Sequence, residues 1–270
     1  MSGVGATLAR TRSEGRAALV GYLPVGYPDL DTSIAAMVAM VEGGVDIVEV
    51  GVPYSDPLMD GPVIQHAGEV ALAGGTRTRH VFEAVQAIVA AGAPALVMTY
   101  WNPIEQYGVA RFAADLAGAG GAGLITPDLI PDEAGAWLDA ATDNDLDRVF
   151  LIAPSSTPER LAATVRACRG FVYAASTMGV TGVRSAVGDT ARVLVERARE
   201  VTDLPLCVGL GVSTGAQAAE VGAFADGVIV GSALVRCLTE ADSPEAGVDA
   251  VRALSAELAA GVRRRVPVSS

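Results

Sequence analysis

The chain has 270 residues, 51% of them hydrophobic and 19% charged, so it can bury a large core and does not have the composition of a disordered protein. Its formal net charge of −12 argues against nucleic acid or an anionic membrane as the main partner, so any bound anion has to be held locally by backbone amides. The first thirty residues carry Arg10, Arg12, Glu14 and Arg16 with no apolar signal core, and no uncharged stretch is long enough to span a bilayer; a cytoplasmic protein is expected.

Residues 1–15 predict a short helix (4–15) closing the bottom of the fold. Short β-branched runs then alternate with Ala-rich helical stretches. The strands are predicted at 18–25, 46–52, 95–100, 122–127, 148–153, 171–176, 206–211 and 226–231. Between them, "LDTSIAAMVAMVEGG" (30–44) reads as a helix capped by Asp31, Thr32 or Ser33 and ended by Gly43–Gly44. "TPERLAATVRACRG" (157–170) repeats the device, with Thr157 as cap, Pro158 in the first turn and Gly170 as stop. Residues 243–263 read as a closing helix and 264–270 as a frayed tail. Eight such units without a composition break predict one α/β domain over 1–270, a closed eight-stranded parallel (β/α)8 barrel of the TIM type. An open doubly wound sheet fits less well, because no G-x-G-x-x-G follows the first strand.

Most strand starts lie about 20–30 residues apart, close to the minimum for such a unit, but the gaps after the second and sixth strands are longer. Loops after the strands build barrel active sites, so both insertions fall on the functional rim. The first is "EVGVPYSDPLMDGPVIQ" (49–65). Alternation puts Ile47, Glu49 and Gly51 on one strand face, expected to be the barrel interior, where desolvation raises a carboxyl pKa toward the range useful for acid–base work. No basic residue occurs in the second, third, fourth, sixth, seventh or eighth strand, so a structural ion-pair partner for Glu49 is scarce. Asp56 and Asp60 flank Pro57 in a loop stiffened by proline; turn chemistry accounts for either alone, but rigidity beside a barrel-mouth acid favours function for at least one.

The turns after the seventh and eighth strands, "VGLGVSTGAQAAEV" (208–221) and "VGSALVRCL" (230–238), are Gly-rich and open helices at Ser213 or Thr214 and at Gly231–Ser232. Helix N-termini in these two positions are the usual phosphate site of a barrel. Tyr22, Tyr100 and Tyr173 each fall in a predicted strand, where core packing or contact with a flat apolar ligand both suit them. His66 and His80 have no metal-like neighbours. Cys168, Cys207 and Cys237 are odd in number and far apart, as expected of small buried hydrophobes in a reducing compartment, so no metal site is expected.

Taken together, these motifs resemble the α subunit family of tryptophan synthase: the 49–65 stretch matches its strand Glu followed by P-[YF]-S-D-P-x-x-D-G-P. "GVTG" (179–182) resembles its closing sixth loop, and "VGLGVST" with "VGSALV" its phosphate site. The resemblance runs in order over about residues 15–265. It implies a lyase that splits indole-3-glycerol phosphate into indole and glyceraldehyde 3-phosphate, with Glu49 as acid–base residue and Asp60 at the indole nitrogen. It further implies substrate contacts from Tyr22, Tyr100, Tyr173 and Thr181, and phosphate amides at Gly182, Gly211, Gly231 and Ser232. The implied partner is a β subunit holding pyridoxal phosphate in an α2β2 heterotetramer, with no cofactor in this chain and with Tyr54, Ser55, Asp56 and Pro57 at the contact. Met59 departs from the usual small residue in that loop. Two competing functions remain open: a non-catalytic phosphate-ligand barrel that activates a partner, and a neighbouring phosphate-binding isomerase or synthase. The latter commonly uses lysine, and the chain contains none.

Overall fold

Eight short apolar strands pair in chain order, each parallel to the next, and the eighth pairs with the first to close a barrel. The structure is a computed structural model that describes residues 3–175 and 184–264, the first five of the second segment by backbone alone. The chain runs α1 (Gly3–Ser13), β1 (Ala18–Pro24), α2 (Leu30–Glu42), β2 (Ile47–Gly51), α3 (Pro62–Ala73), α4 (Val81–Ala90), β3 (Ala95–Met98), α5 (Trp101–Tyr107) and α6 (Val109–Gly118). It continues as β4 (Gly123–Thr126), α7 (Gly135–Asp143), β5 (Asp147–Ile152), α8 (Pro158–Ala167), β6 (Val172–Ala175), α9 (Arg184–Arg199), β7 (Leu206–Gly209), α10 (Gly215–Gly222), β8 (Gly227–Val230), α11 (Ser232–Thr239) and α12 (Pro244–Val262).

The two-residue period of each strand sorts its side chains into two cores. Val20, Ile47, Leu96, Ile125, Val149, Phe171, Cys207 and Ile229 fill the barrel interior, and Val4 and Leu8 of α1 plug its lower end. Leu19, Leu23, Val48, Val50, Val97 and Phe150 point outward into a second core against the helices. Below the barrel, Arg16 makes a two-pronged contact with Asp46 (2.7 and 2.8 Å), and the Leu19 N–H donates to the same carboxylate at 2.9 Å. That pair fixes the start of β2 beneath β1. Among the described residues, no helix is long and apolar enough to cross a membrane.

Several boundaries differ from the sequence expectation. The cap of α2 is Asp29, whose carboxylate accepts the Thr32 N–H at 2.8 Å; Ser33 is turned instead to accept the Gly26 N–H, also at 2.8 Å. Thr157 caps α8 as expected, but the helix stops at Ala167, before Gly170, because Arg169 forms an antiparallel bridge to Arg148. The third strand ends at Met98, and Tyr100 is the N-cap of α5, not a strand residue. The insertion after β2 contains α3 and, with α4, gives two helices before β3. The insertion after β6 is helical from Arg184 onward; 176–183 and 265–270 lie outside the described residues.

Candidate active site

Glu49 stands in the middle of β2, with Tyr22 of β1 and Leu96 of β3 as its register partners. It faces the barrel interior, is 0% exposed, and neither carboxylate oxygen has a hydrogen-bond partner among the described residues. Burial pushes its pKa up to about 8 from an ordinary value of 4.5. A carboxyl group in this state is protonated at neutral pH and unengaged, available to a ligand.

Two tyrosines flank it from the same interior layer. Tyr22 and Tyr173 are both desolvated, which drives their hydroxyl pKa values well up, and the charges of Asp60 and Glu49 add to the effect on each. They fit because neighbouring strands lack side chains where the rings lie. A Cβ on Gly51 would fall 2.4 Å from the Tyr22 Oη, one on Gly209 would fall 2.6 Å from the Tyr173 Oη, and one on Gly231 would fall 3.2 Å from the Tyr22 ring. The missing side chain at Gly209 thus makes room for Tyr173.

Asp60 ends the proline-stiffened loop, half-buried, beside a small cavity lined by Tyr22, Pro53, Tyr54, Asp60, Ile64 and Gly68. Burial raises its pKa, and a hydrogen bond from the Tyr100 hydroxyl opposes the rise. The Gln65 Nε2 donates to the Asp60 carbonyl at 2.8 Å, and the Met59 N–H donates to the Tyr100 Oη at 2.9 Å. Gln65 carries no role in the sequence reading; its only signal was a polar residue in the first turn of α3, five positions after the acid. Other acids on or next to these strands are engaged elsewhere: Asp46 by Arg16, Asp128 by the Trp101 N–H at 2.9 Å, and exposed Asp56 by the Ser55 hydroxyl at 2.6 Å. A larger cavity, about 580 Å³, sits at the opposite end between α1 and the starts of β6–β8, away from these groups.

The two helix N-termini expected to hold phosphate differ. At α10 the donors are largely used: the Ser213 N–H goes to Gln217 and the Gly215 N–H to Glu257, both at 2.8 Å, and Thr214 caps Gln217. At α11 the cap is Gly231 and no side chain caps the first turn; the Leu234 N–H donates to the Gly231 carbonyl at 2.9 Å, and the Ser232 and Ala233 N–H groups precede it without a side-chain cap among the described residues. Gly211, at φ +73°, turns the β7 loop with a left-handed conformation that suits glycine. Thr181 and Gly182 lie outside the described residues.

On the outer rim, Ser55 and Asp56 are exposed, Tyr54 and Pro57 are partly so, and Leu58 (84%) and Met59 (56%) project beyond them. His66 is exposed and meets the Tyr27 ring edge-on, and the His80 Nδ1 accepts the Arg77 N–H. Among the described residues no cluster of His, Cys, Asp or Glu could hold a metal ion. Cys168 and Cys207 are buried, and burial pushes the Cys168 thiol up to about 12.

With this geometry in view, comparison with known proteins gives one answer. The sequence profile of the family described as tryptophan synthase alpha chain matches residues 8–263. The chain belongs to that family. It is 64% identical over 258 residues to the tryptophan synthase alpha chain of Mycobacterium intracellulare, covering 96% of this chain and 93% of that one. It is 62% identical over 263 residues to the alpha chain of Salinispora arenicola, covering 97% and 98%. Among solved structures, Mycobacterium tuberculosis tryptophan synthase superposes with a TM-score of 0.91 at 62% identity, covering 97% and 98%. The alpha subunit from Legionella pneumophila keeps a TM-score of 0.87 at 32% identity, with coverage of 97% and 98%. The barrel keeps its shape in a relative with which it shares only 32% of aligned residues, and the sequence resemblance to this family holds.

Proposed function

We propose that Glu49 and Asp60 divide the chemistry of the family reaction between them. As a tryptophan synthase alpha chain, the protein is a carbon–carbon lyase that cleaves indole-3-glycerol phosphate to indole and glyceraldehyde 3-phosphate. The bond that breaks joins the indole ring to a carbon bearing a hydroxyl group. Protonated Glu49 delivers its proton to that ring carbon, which turns the ring into a leaving group. The resulting carboxylate then takes the hydroxyl proton, the carbon–carbon bond breaks, its electron pair returns to the indole, and the aldehyde forms. Glu49 ends protonated, ready for the next cycle. The positive charge that develops on the indole nitrogen is met by Asp60, a fixed anion that needs no reorganisation during the step.

The observation that carries this reading is Glu49 itself: fully buried, without a hydrogen-bond partner among the described residues, and with its pKa pushed to about 8. A structural acid would have a partner at such depth. Tyr22 and Tyr173 bracket the indole, and Tyr100 stands beside Asp60. Phosphate is held by the amides of Gly231 and Ser232 with the Gly211 turn, and the family resemblance assigns Thr181 to the substrate and Gly182 to the phosphate. Any pyridoxal phosphate belongs to the β subunit, not to this chain.

The partner is a tryptophan synthase β subunit, a reading supported by solved relatives that are described as tryptophan synthase, one of them in an aminoacrylate-bound form. We place the contact on Tyr54, Ser55, Asp56 and Pro57, beside exposed Leu58 and Met59, in an α2β2 assembly. The chain works there as one barrel domain over 1–270, in the cytoplasm. Titrating the purified chain with a β subunit while following indole release from indole-3-glycerol phosphate tests the whole reading. Release should depend on Glu49 and rise with the partner; a chain inert toward this substrate with and without the partner would overturn it.

A further inference from the structure

We propose that Tyr100 is a positioning residue that holds Asp60 in place and ties the loop after β2 to the loop after β3. The proposal rests on the assignment of Asp60 as the charge-stabilising acid and goes beyond it. Asp60 sits in a loop of ten residues, 52–61, between β2 and α3, and an anion that stabilises a developing charge has to be fixed to within a fraction of an ångström. Two tethers bracket it. Gln65 holds its carbonyl at 2.8 Å from the C-terminal side, and the Tyr100 Oη accepts the N–H of Met59, the preceding residue, at 2.9 Å.

Tyr100 is itself well held. It is 4% exposed, its ring lies against Tyr54 with centroids 5.2 Å apart at 32°, and the Tyr54 Oη accepts the Asn102 amide N–H at 3.3 Å. The next residue, Trp101, donates its backbone N–H to both carboxylate oxygens of Asp128, at 2.9 and 3.1 Å, which anchors the start of α5 to the loop after β4. Because the Tyr100 oxygen accepts from Met59, its own proton remains to be donated, and the neighbouring acceptor is the Asp60 carboxylate. A phenol in this place both locates the anion and favours its charged form. Phenylalanine would keep the ring on Tyr54 and lose both functions.

The test is a double-mutant cycle in the full chain with Tyr100→Phe, Asp60→Asn and the pair, reading kcat, KM and the pH dependence of kcat/KM for indole-3-glycerol phosphate, with far-UV circular dichroism to verify folding. A hydrogen bond to a charged group is commonly worth about tenfold or more, so Tyr100→Phe should lower kcat by roughly that factor with KM within about twofold. Its acid limb should move to higher pH, because Asp60 loses the donor that favours its anion. In the Asp60→Asn background the same change should cost little more, since the group it positions is gone. The proposal is overturned if kcat and the acid limb are unmoved, if KM alone rises, or if the two losses multiply in the double variant. An Asp60→Asn protein with normal turnover would instead remove the Asp60 assignment, and this inference with it. A slow Asp60→Asn protein whose loss is independent of Tyr100 removes only this inference.

Discussion

Tyr22 and Glu49 are register partners on adjacent strands, both pointing into the barrel, yet no hydrogen bond joins them. The carboxyl group is therefore desolvated without compensation, and its stability effect has a definite sign. Below about pH 4.5 Glu49 is protonated in both folded and unfolded chains and costs nothing; between 4.5 and about 8 the unfolded chain loses its proton first, so stability falls as pH rises. Glu49→Gln abolishes that slope. The variant should be more stable than the parent at pH 7, by roughly 3 kcal/mol at most, with the gap closing toward pH 5; chemical denaturation across this range reads it. In the parent, kcat/KM should fall as pH rises through about 8, where Glu49 loses the proton it must deliver.

The contact between Gly209 and Tyr173 gives a second expectation. Gly209→Ala would put a methyl group 2.6 Å from the Tyr173 Oη, and overpacking of this kind commonly costs about 1–3 kcal/mol. Only that contact is shorter than 3.0 Å, so adding Tyr173→Phe should restore much of the loss. Thermal unfolding of the two singles and the double decides it; strictly additive losses would mean the crowding lies elsewhere.

At the other end of the barrel, Arg16 and Asp46 form a buried pair. Burial pushes the Asp46 carboxyl up, but the Arg16 hydrogen bonds and the Leu19 amide overcome it and leave the group below its ordinary range. The stability from this depression is present at neutral pH and lost as pH falls through the acid range. Arg16→Met removes the two-pronged partner of a buried anion and leaves it the Leu19 amide and a 3.4 Å contact from half-exposed Arg10; breaking a buried pair typically costs about 3–5 kcal/mol, and the remaining contacts place this loss toward the lower figure. Turnover of the folded fraction at low temperature should be unchanged, because the pair lies at the closed end; a large loss of kcat without a loss of stability would contradict this placement.

For phosphate, the uncapped start of α11 is the expected seat. Ser232→Glu places an anion there and should raise the KM for indole-3-glycerol phosphate at least about tenfold, while single-turnover cleavage at saturation changes far less. An unchanged KM would move the phosphate to another turn.

The barrel was legible because β-branched runs alternate with Ala-rich helical stretches along the whole chain, and each of the eight predicted strands overlaps an observed one. The burial of Glu49 without a partner was legible for a different reason: it is a carboxylate inside an apolar strand, in a chain with few strand cations. What could not be read depended on residues far apart in the chain. The packing role of Gly51 and Gly209 exists only once closure brings Tyr22 and Tyr173 across them. The α10 amides looked free until Glu257, 42 residues from Gly215, supplied an acceptor. Tyr100 read as strand because of the apolar run before it, whereas the chain turns at Thr99 to let α5 begin at Trp101. The cap of α2 fell two residues before the first of the three candidates, Asp31, Thr32 and Ser33, because Asp29 has the same capping chemistry.

The division of labour between the two acids is the central claim, and single-turnover cleavage of bound indole-3-glycerol phosphate tests it most directly. Glu49→Gln keeps the shape of the side chain but can neither give nor take a proton, so the rate should fall by at least about 10²–10⁴-fold with substrate still bound. Asp60→Asn should lose about 3–4 kcal/mol of transition-state stabilisation, again without losing the substrate. A Glu49→Gln protein that cleaves bound substrate at a near-normal rate would contradict the account and take Glu49 out of the mechanism.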